Sequence, residues 1–221
     1  VECHSQPPQF FVDFIQNHDQ TGNRAQGERL ISLAGADKTR VLLAALLLSP
    51  HIPLLFMGEE FGETHPFLFF TDFHGELAKA VREGRAKEFT GHAGHDDDVP
   101  DPNDLNTFLR SKLDWHKIAT DEGKTWLRFT RHLLTLRHRY IVPLLQQGGA
   151  VEGKVVATAP GMVAVSWRFP SGTLSLALNI GTRPVGLPAL AGETRFAWPD
   201  VDDVLPPNSI VIRFADGEAS L

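Results

Sequence analysis

Four consecutive residues, Asn17-His18-Asp19-Gln20, bring an amide, an imidazole, a carboxylate and a second amide to the point where the apolar run FFVDFI stops. A carboxylate accepts hydrogen bonds and an imidazole can donate them, so the pair His18 and Asp19 could hold several hydroxyls of one sugar ring. The same residues have a second reading, in which Asp19 caps a turn and His18 packs against it. Farther along, Glu59 and Glu60 follow another apolar run, LLFM. Adjacent residues after an extended strand point opposite ways, so the two are a poor nucleophile and acid pair. Anchoring a loop, or hydrogen bonding behind a site, suits them better. Asp13 puts a charge inside an apolar strand, where it is either paired or lines a polar end. Phe67, Phe69 and Phe70 are candidate stacking rings beside a bound sugar, whereas Trp126 and Trp167 fall on apolar faces and read as core. His92, His95 and Asp96 to Asp98 are metal-ligand types, but a Gly-rich acidic loop is ordinarily just solvated, so no metal is expected.

The elements that must position these groups follow from periodicity. Phe10 to Gln16 is apolar on both alternating faces, as in a parallel strand covered on both sides. A polar, Gly-bearing loop leads to Asp37 to Ser49, where nearly every position is apolar and a buried helix is predicted. Pro50 and Pro53 end it, and Leu54 to Met57 reads as a second short strand closed by GEEFG. Strand, loop, helix, strand is the order of a βαβ unit in a parallel sheet or (β/α) barrel. A helix is predicted near Glu76 to Phe89, and another over Glu122 to Leu145, where Trp126, Phe129, Leu133, Leu136 and Tyr140 recur at spacings of three and four. After Gly148-Gly149 the period changes to two. MVAVSWRF, LSLALNI and SIVIRF each keep one apolar face, which predicts an antiparallel β-sandwich. The predicted domains are 1–147, a barrel portion, and 148–221, the sandwich.

Composition narrows the classes. With 42% apolar residues in 221, the chain can bury a core. A net charge of −6 with scattered Lys and Arg leaves no footprint for nucleic acid. The single Cys3 excludes an internal disulfide and a multi-cysteine metal site. VLLAALLL, the longest apolar run, falls far short of the roughly 20 residues a membrane span needs, so no membrane partner is expected.

FVDFIQNHDQTGNRA followed by IPLLFMGEEFG resembles the last two barrel strands of the α-amylase superfamily of glycoside hydrolases. NTFLRSKLDWHK at 106–117, the Trp- and Leu-bearing helix and the C-terminal β-rich segment fit the same superfamily in order. Within it, the NHDQ-GNRA arrangement and the block EEFGETHPFLFFTDFHGELAKAVREGRAKEF are similar to the hydrolases that release trehalose from maltooligosyl trehalose. The resemblance implies the last two strand-helix units of a (β/α)8 TIM barrel followed by the sandwich. It also implies roles: Asp19 as the transition-state-stabilising carboxylate, His18 as its partner on the same sugar ring, Asn17 shaping the turn, and Gln20 and Arg24 lining the neighbouring subsite.

A retaining glycosidase also needs a nucleophile and an acid/base about 5 to 5.5 Å apart. In the superfamily they come from earlier strands, which have no counterpart before Phe10. The chain is therefore expected to be a C-terminal fragment, inactive alone, whose apolar strand edge associates with the missing barrel portion or with itself. No cofactor is expected for this chemistry, the implied substrate is maltooligosyl trehalose or a related α-glucan, and the implied location is cytoplasmic. Two rival readings stay open: a branching or debranching enzyme of the same superfamily, and a non-catalytic carbohydrate-binding module.

Overall fold

The computed structural model describes residues 6–89, 99–149 and 151–217. The chain resolves into two compact units that interleave in sequence, one of Val1–Ile15, Ala36–Leu54 and Arg128–Leu221, the other of Gln16–Gly35 and Leu55–Leu127.

In the first unit, β1 (Val12–Asp13) and β2 (Ile52–Pro53) pair in parallel, joined by a connection that includes helix α3 (Ala36–Leu48). The parallel pair with its helical crossover agrees with the predicted βαβ unit. Both strands are shorter than predicted. Phe10, the predicted start of the first strand, instead ends a 3-10 turn at Pro8–Phe10, and pairing on the second strand falls at Ile52–Pro53 instead of Leu54–Met57. The ladder rests on Ile52 N to Phe11 O at 2.9 Å and Leu54 N to Asp13 O at 2.8 Å. These bonds skip Pro53, whose missing N–H therefore costs this ladder nothing. Among the described residues each strand has a single neighbour. Asp13 is paired: its carboxylate meets His51 Nδ1 at 2.5 Å.

Helix α3 is buried at Val41, Leu43, Ala44, Leu46, Leu47 and Leu48, and no basic residue lies in its last turn. Arg137, buried in a π turn at Arg137–Ile141, supplies that charge from elsewhere. Its guanidinium donates to the carbonyl of Leu47 (3.0 Å), in the last turn of α3, and to those of Ser49 (2.6 Å) and His51 (2.6 Å) just beyond it. Burial lowers the Arg137 pKa from its ordinary value. Arg137→Met is expected to cost on the order of 3 kcal/mol, because buried carbonyls lose a charged donor. Urea unfolding reads this as a lower midpoint at unchanged slope; an unmoved midpoint would mean that water replaces the guanidinium.

The C-terminal part is a five-stranded antiparallel sheet in the order β3-β4-β5-β9-β7, comprising β3 (Glu152–Ala159), β4 (Met162–Phe169), β5 (Gly172–Asn179), β7 (Glu193–Trp198) and β9 (Ser209–Asp216). Register aligns the predicted apolar faces: Val165 faces Leu176, which faces Ile212, which faces Phe196. Helical rings cover that face, with Phe129 6.2 Å from Phe196 and Tyr140 5.6 Å from Phe214. Leu174, Leu176, Ile210 and Ile212 are buried there, each contributing roughly 1.5–3 kcal/mol. On the other face Met162, Ala164, Ala177 and Val211 pack with Leu190 and Leu205. Instead of a second full sheet, that face carries a two-stranded ribbon, β6 (Val185–Gly186) with β8 (Val204–Leu205).

Candidate active site

The second unit holds the polar cluster. Asn17 has extended backbone, and its Oδ1 accepts from Gln20 N at 2.8 Å, capping the short helix α1 (His18–Gly22). The cap is thus Asn17 and not Asp19, which leaves the Asp19 carboxylate free of backbone duty. His18 Nε2 lies 3.3 Å from Asp19 Oδ1, and their side chains are 70% and 73% exposed. A contact so open contributes little to stability. What it provides is an acceptor and an imidazole side by side, facing solvent. Gln20 is exposed, and Arg24 pairs with Glu28 at 3.3 Å across one turn. Asn17→Ala is expected to remove about 1 kcal/mol of local helix stability and to quicken hydrogen exchange at the Gln20 amide about fivefold. Unchanged exchange there would show that the cap does not hold the turn.

Behind the cluster lies a buried network. Gln16, immediately before the cap, donates from Nε2 to Glu59 Oε1 at 3.0 Å and accepts from Leu30 N at 3.0 Å. The other Glu59 oxygen accepts from Phe56 N at 2.9 Å. Glu59 is 4% exposed, and burial pushes its pKa up to about 7 against the opposing hydrogen bonds from Phe56 and Gln16 and the charge of Arg29. Both Glu59 oxygens are thus engaged away from solvent, which makes it an anchor and not a nucleophile. Arg29 is buried as well, donating to the carbonyls of His65 and Met57 at 2.7 Å each with its guanidinium 4.9 Å from the Phe56 ring centre. Burial lowers its pKa while Glu63, Glu59 and Glu60 oppose the shift. Glu63 accepts from the amides of Thr64, His65 and Asp114. The turn holding Glu59 closes at Gly62, whose φ is +70° and whose absent Cβ would lie 2.5 Å from Trp126. Arg85 donates to the carbonyls of Gly22 and Arg24, fixing the far end of α1.

Sequence reasoning found the exposed cluster and missed most of what supports it: Gln16, Arg29, Glu63 and Arg85. An amide closing an apolar strand was the available signal for Gln16. No cluster of three or more potential metal ligands occurs among the described residues. His92, His95 and Asp96 to Asp98 lie outside the described residues, as does Cys3. No helix among the described residues is long and apolar enough to cross a membrane.

Comparison with known proteins gives these features a setting. A family described as "Domain of unknown function (DUF3459)" matches residues 152–212. The malto-oligosyltrehalose trehalohydrolase of Deinococcus radiodurans is 51% identical over 128 residues, covering 58% of this chain and 21% of its own length. That of Rhizobium sp. strain M-11 is 35% identical over 224 residues, covering 95% of this chain and 37% of its own. This chain therefore spans well under half the length of these relatives. A crystal structure from Salmonella typhimurium, provisionally described as an alpha amylase, superposes with a TM-score of 0.92 at 64% identity over 97% of this chain and 37% of that one. Isomaltulose synthase SmuA from Protaminobacter rubrum superposes at TM-score 0.58 and 15% identity over 92% of this chain, a likeness of fold alone.

Proposed function

This chain belongs to the malto-oligosyltrehalose trehalohydrolase family, and from that premise we propose that the longer protein it represents hydrolyses the α-1,4 bond next to the terminal trehalose of maltooligosyl trehalose, releasing trehalose. The observation that carries the assignment within this chain is the exposed His18-Asp19 pair on a turn that Asn17 caps and Gln16 ties to buried Glu59.

The chemistry follows from charge. Cleavage of a glycosidic bond gives the sugar ring oxocarbenium character, and its hydroxyls become better donors as that charge grows. A carboxylate accepting from the 2-OH therefore binds the transition state more tightly than the ground state, which is what lowers a barrier. Asp19 takes that role. His18, 3.3 Å away, holds the same ring in place, and Gln20 and Arg24 line the adjoining subsite. In this reading the reaction is a retaining double displacement whose nucleophile and acid/base lie in the part of the longer protein that this chain does not span. The isolated chain then has no glycosidic turnover, and the enzyme works in the cytoplasm without a cofactor.

Chromatography of the products from maltooligosyl trehalose and the full-length protein tests the reading. Trehalose plus a shortened maltooligosaccharide is expected. Glucan transfer products would assign the protein to branching chemistry instead.

A further inference from the structure

The Phe67 ring packs on α1: a Cβ added at Gly22 would sit 3.6 Å from Phe67 Cδ1. A row of rings starts there, on the helix whose first turn carries Asp19. Phe56 backs Phe67 edge to face at 5.3 Å. On its other side Phe67 meets Phe70 at 5.7 Å, and Phe70 meets Phe108 at 5.2 Å with the planes 68° apart. The row runs from half-buried to exposed rings. Phe70 is 36% exposed and Phe108 42%, and Leu105 and Leu109 beside it on α5 (Leu105–Ser111) are exposed too. Phe70 and Phe108 are thus two exposed rings in mutual contact.

Buried polar groups hold this exposed surface still. Ser111 Oγ accepts from Leu68 N at 3.0 Å and donates to Thr107 O, and Thr107 Oγ1 donates to the Asp101 carbonyl. Asn103 Oδ1 accepts from Thr71 Oγ1 at 2.9 Å and from Phe73 N at 3.1 Å. Ser111 and Thr107 are each 3% exposed. The loop bearing Phe70 and the helix bearing Phe108 are thus clamped to one mount, while the rings themselves stay open. A platform fixed before its ligand arrives loses little entropy on binding.

We propose that Phe70 and Phe108 form a stacking platform for glucosyl units of the substrate's α-glucan chain and so set how affinity depends on chain length. The proposal rests on the glucan-hydrolase reading of the Asp19 cluster. A pyranose offers a C–H face to the electron-rich face of an aromatic ring while its hydroxyls remain in water. A glucan is favoured over a protein partner because the row of rings is continuous with α1.

The test is steady-state kinetics of the full-length protein on maltooligosyl trehaloses of increasing chain length. In the unaltered protein KM should fall as the chain lengthens. Phe108→Ala should raise KM for long substrates about tenfold, the weight of one lost stacking contact. It should leave KM for the shortest substrate and kcat for all of them unchanged. Phe108→Trp should restore the length dependence, and Phe70→Ala should reproduce the defect. A KM change equal at every length, or none, would overturn the platform. If the unaltered protein releases no trehalose, the hydrolase reading fails on its own, and calorimetric titration with maltoheptaose then decides. About tenfold weaker binding by Phe108→Ala keeps the platform, and equal binding removes it.

Discussion

Asp19→Asn in the full-length protein is expected to lower kcat for trehalose release about a thousandfold while KM and stability stay close to their original values. The magnitude comes from the several kcal/mol that hydrogen bonds to the 2-OH supply in an oxocarbenium-like transition state, with each 1.4 kcal/mol worth a factor of ten. The amide keeps the shape and loses the charge, so what disappears is attraction to positive charge that develops only in the transition state. Stability is spared because the side chain is 73% exposed and the turn is capped by Asn17. Removing it opens no cavity and orphans no buried group, which keeps the cost within about 0.5 kcal/mol. A kcat within a few-fold of the original would take Asp19 out of the reaction. A matching loss of thermal stability would make its role structural.

The second large effect belongs to Glu59. Its carboxyl has an ordinary value of 4.5 and is pushed to about 7 in the folded chain. A raised acid makes the sign definite. Below pH 4.5 both folded and unfolded states hold the proton and the contribution to stability is full. Between 4.5 and 7 the unfolded state releases it first, so stability falls as pH rises. Above 7 the loss is complete, at about 3 kcal/mol. Denaturation midpoints measured from pH 5 to pH 8 should therefore decline in the original protein. Glu59→Gln cannot titrate and should flatten that decline. Glu59→Ala leaves the Gln16 Nε2 and Phe56 N donors buried without an acceptor, and at pH 5 should cost about 3 kcal/mol. Because Gln16 adjoins the cap residue, activity should fall along with stability in Glu59→Ala. A Glu59→Gln protein whose stability still declined over the same pH range would place the titrating group elsewhere.

Glu59 also shows where sequence reading ends. The pair Glu59-Glu60 after an apolar run was legible as an anchor because adjacent side chains diverge. That one of them is buried, with both oxygens occupied, depends on Gln16 43 positions earlier. No local pattern carries such information. The exposed half of the candidate site was legible for the opposite reason. Asn17 to Gln20 interrupts an apolar run, and an interruption is visible in one dimension.

The same division holds for the fold. Helices α3, α4 (Gly75–Phe89) and α6 (Asp121–Leu136) follow from capping and spacing, and β4, β5 and β9 from alternation. β3 escaped prediction because it is mostly exposed, and β7 because ETRFAW is short and one-third charged. The second face of the sheet rests on Ala164 and Ala177 with Ala157, Ala159 and Ala197 around them, and alanine is too neutral a residue to announce a packed face. The first strand was overestimated in length and the second was placed two residues too late, because an apolar run reports burial potential and not where backbone pairing falls.

The most direct test of the central claim is a crystal structure of the full-length protein with a sulfur-linked, uncleavable maltooligosyl trehalose. An Asp19 carboxylate oxygen is expected at about 2.5 to 2.7 Å from the 2-OH of the sugar on the non-trehalose side of the scissile linkage, with His18 on the same ring. A substrate lying elsewhere, with Asp19 and His18 still facing water, would contradict the account.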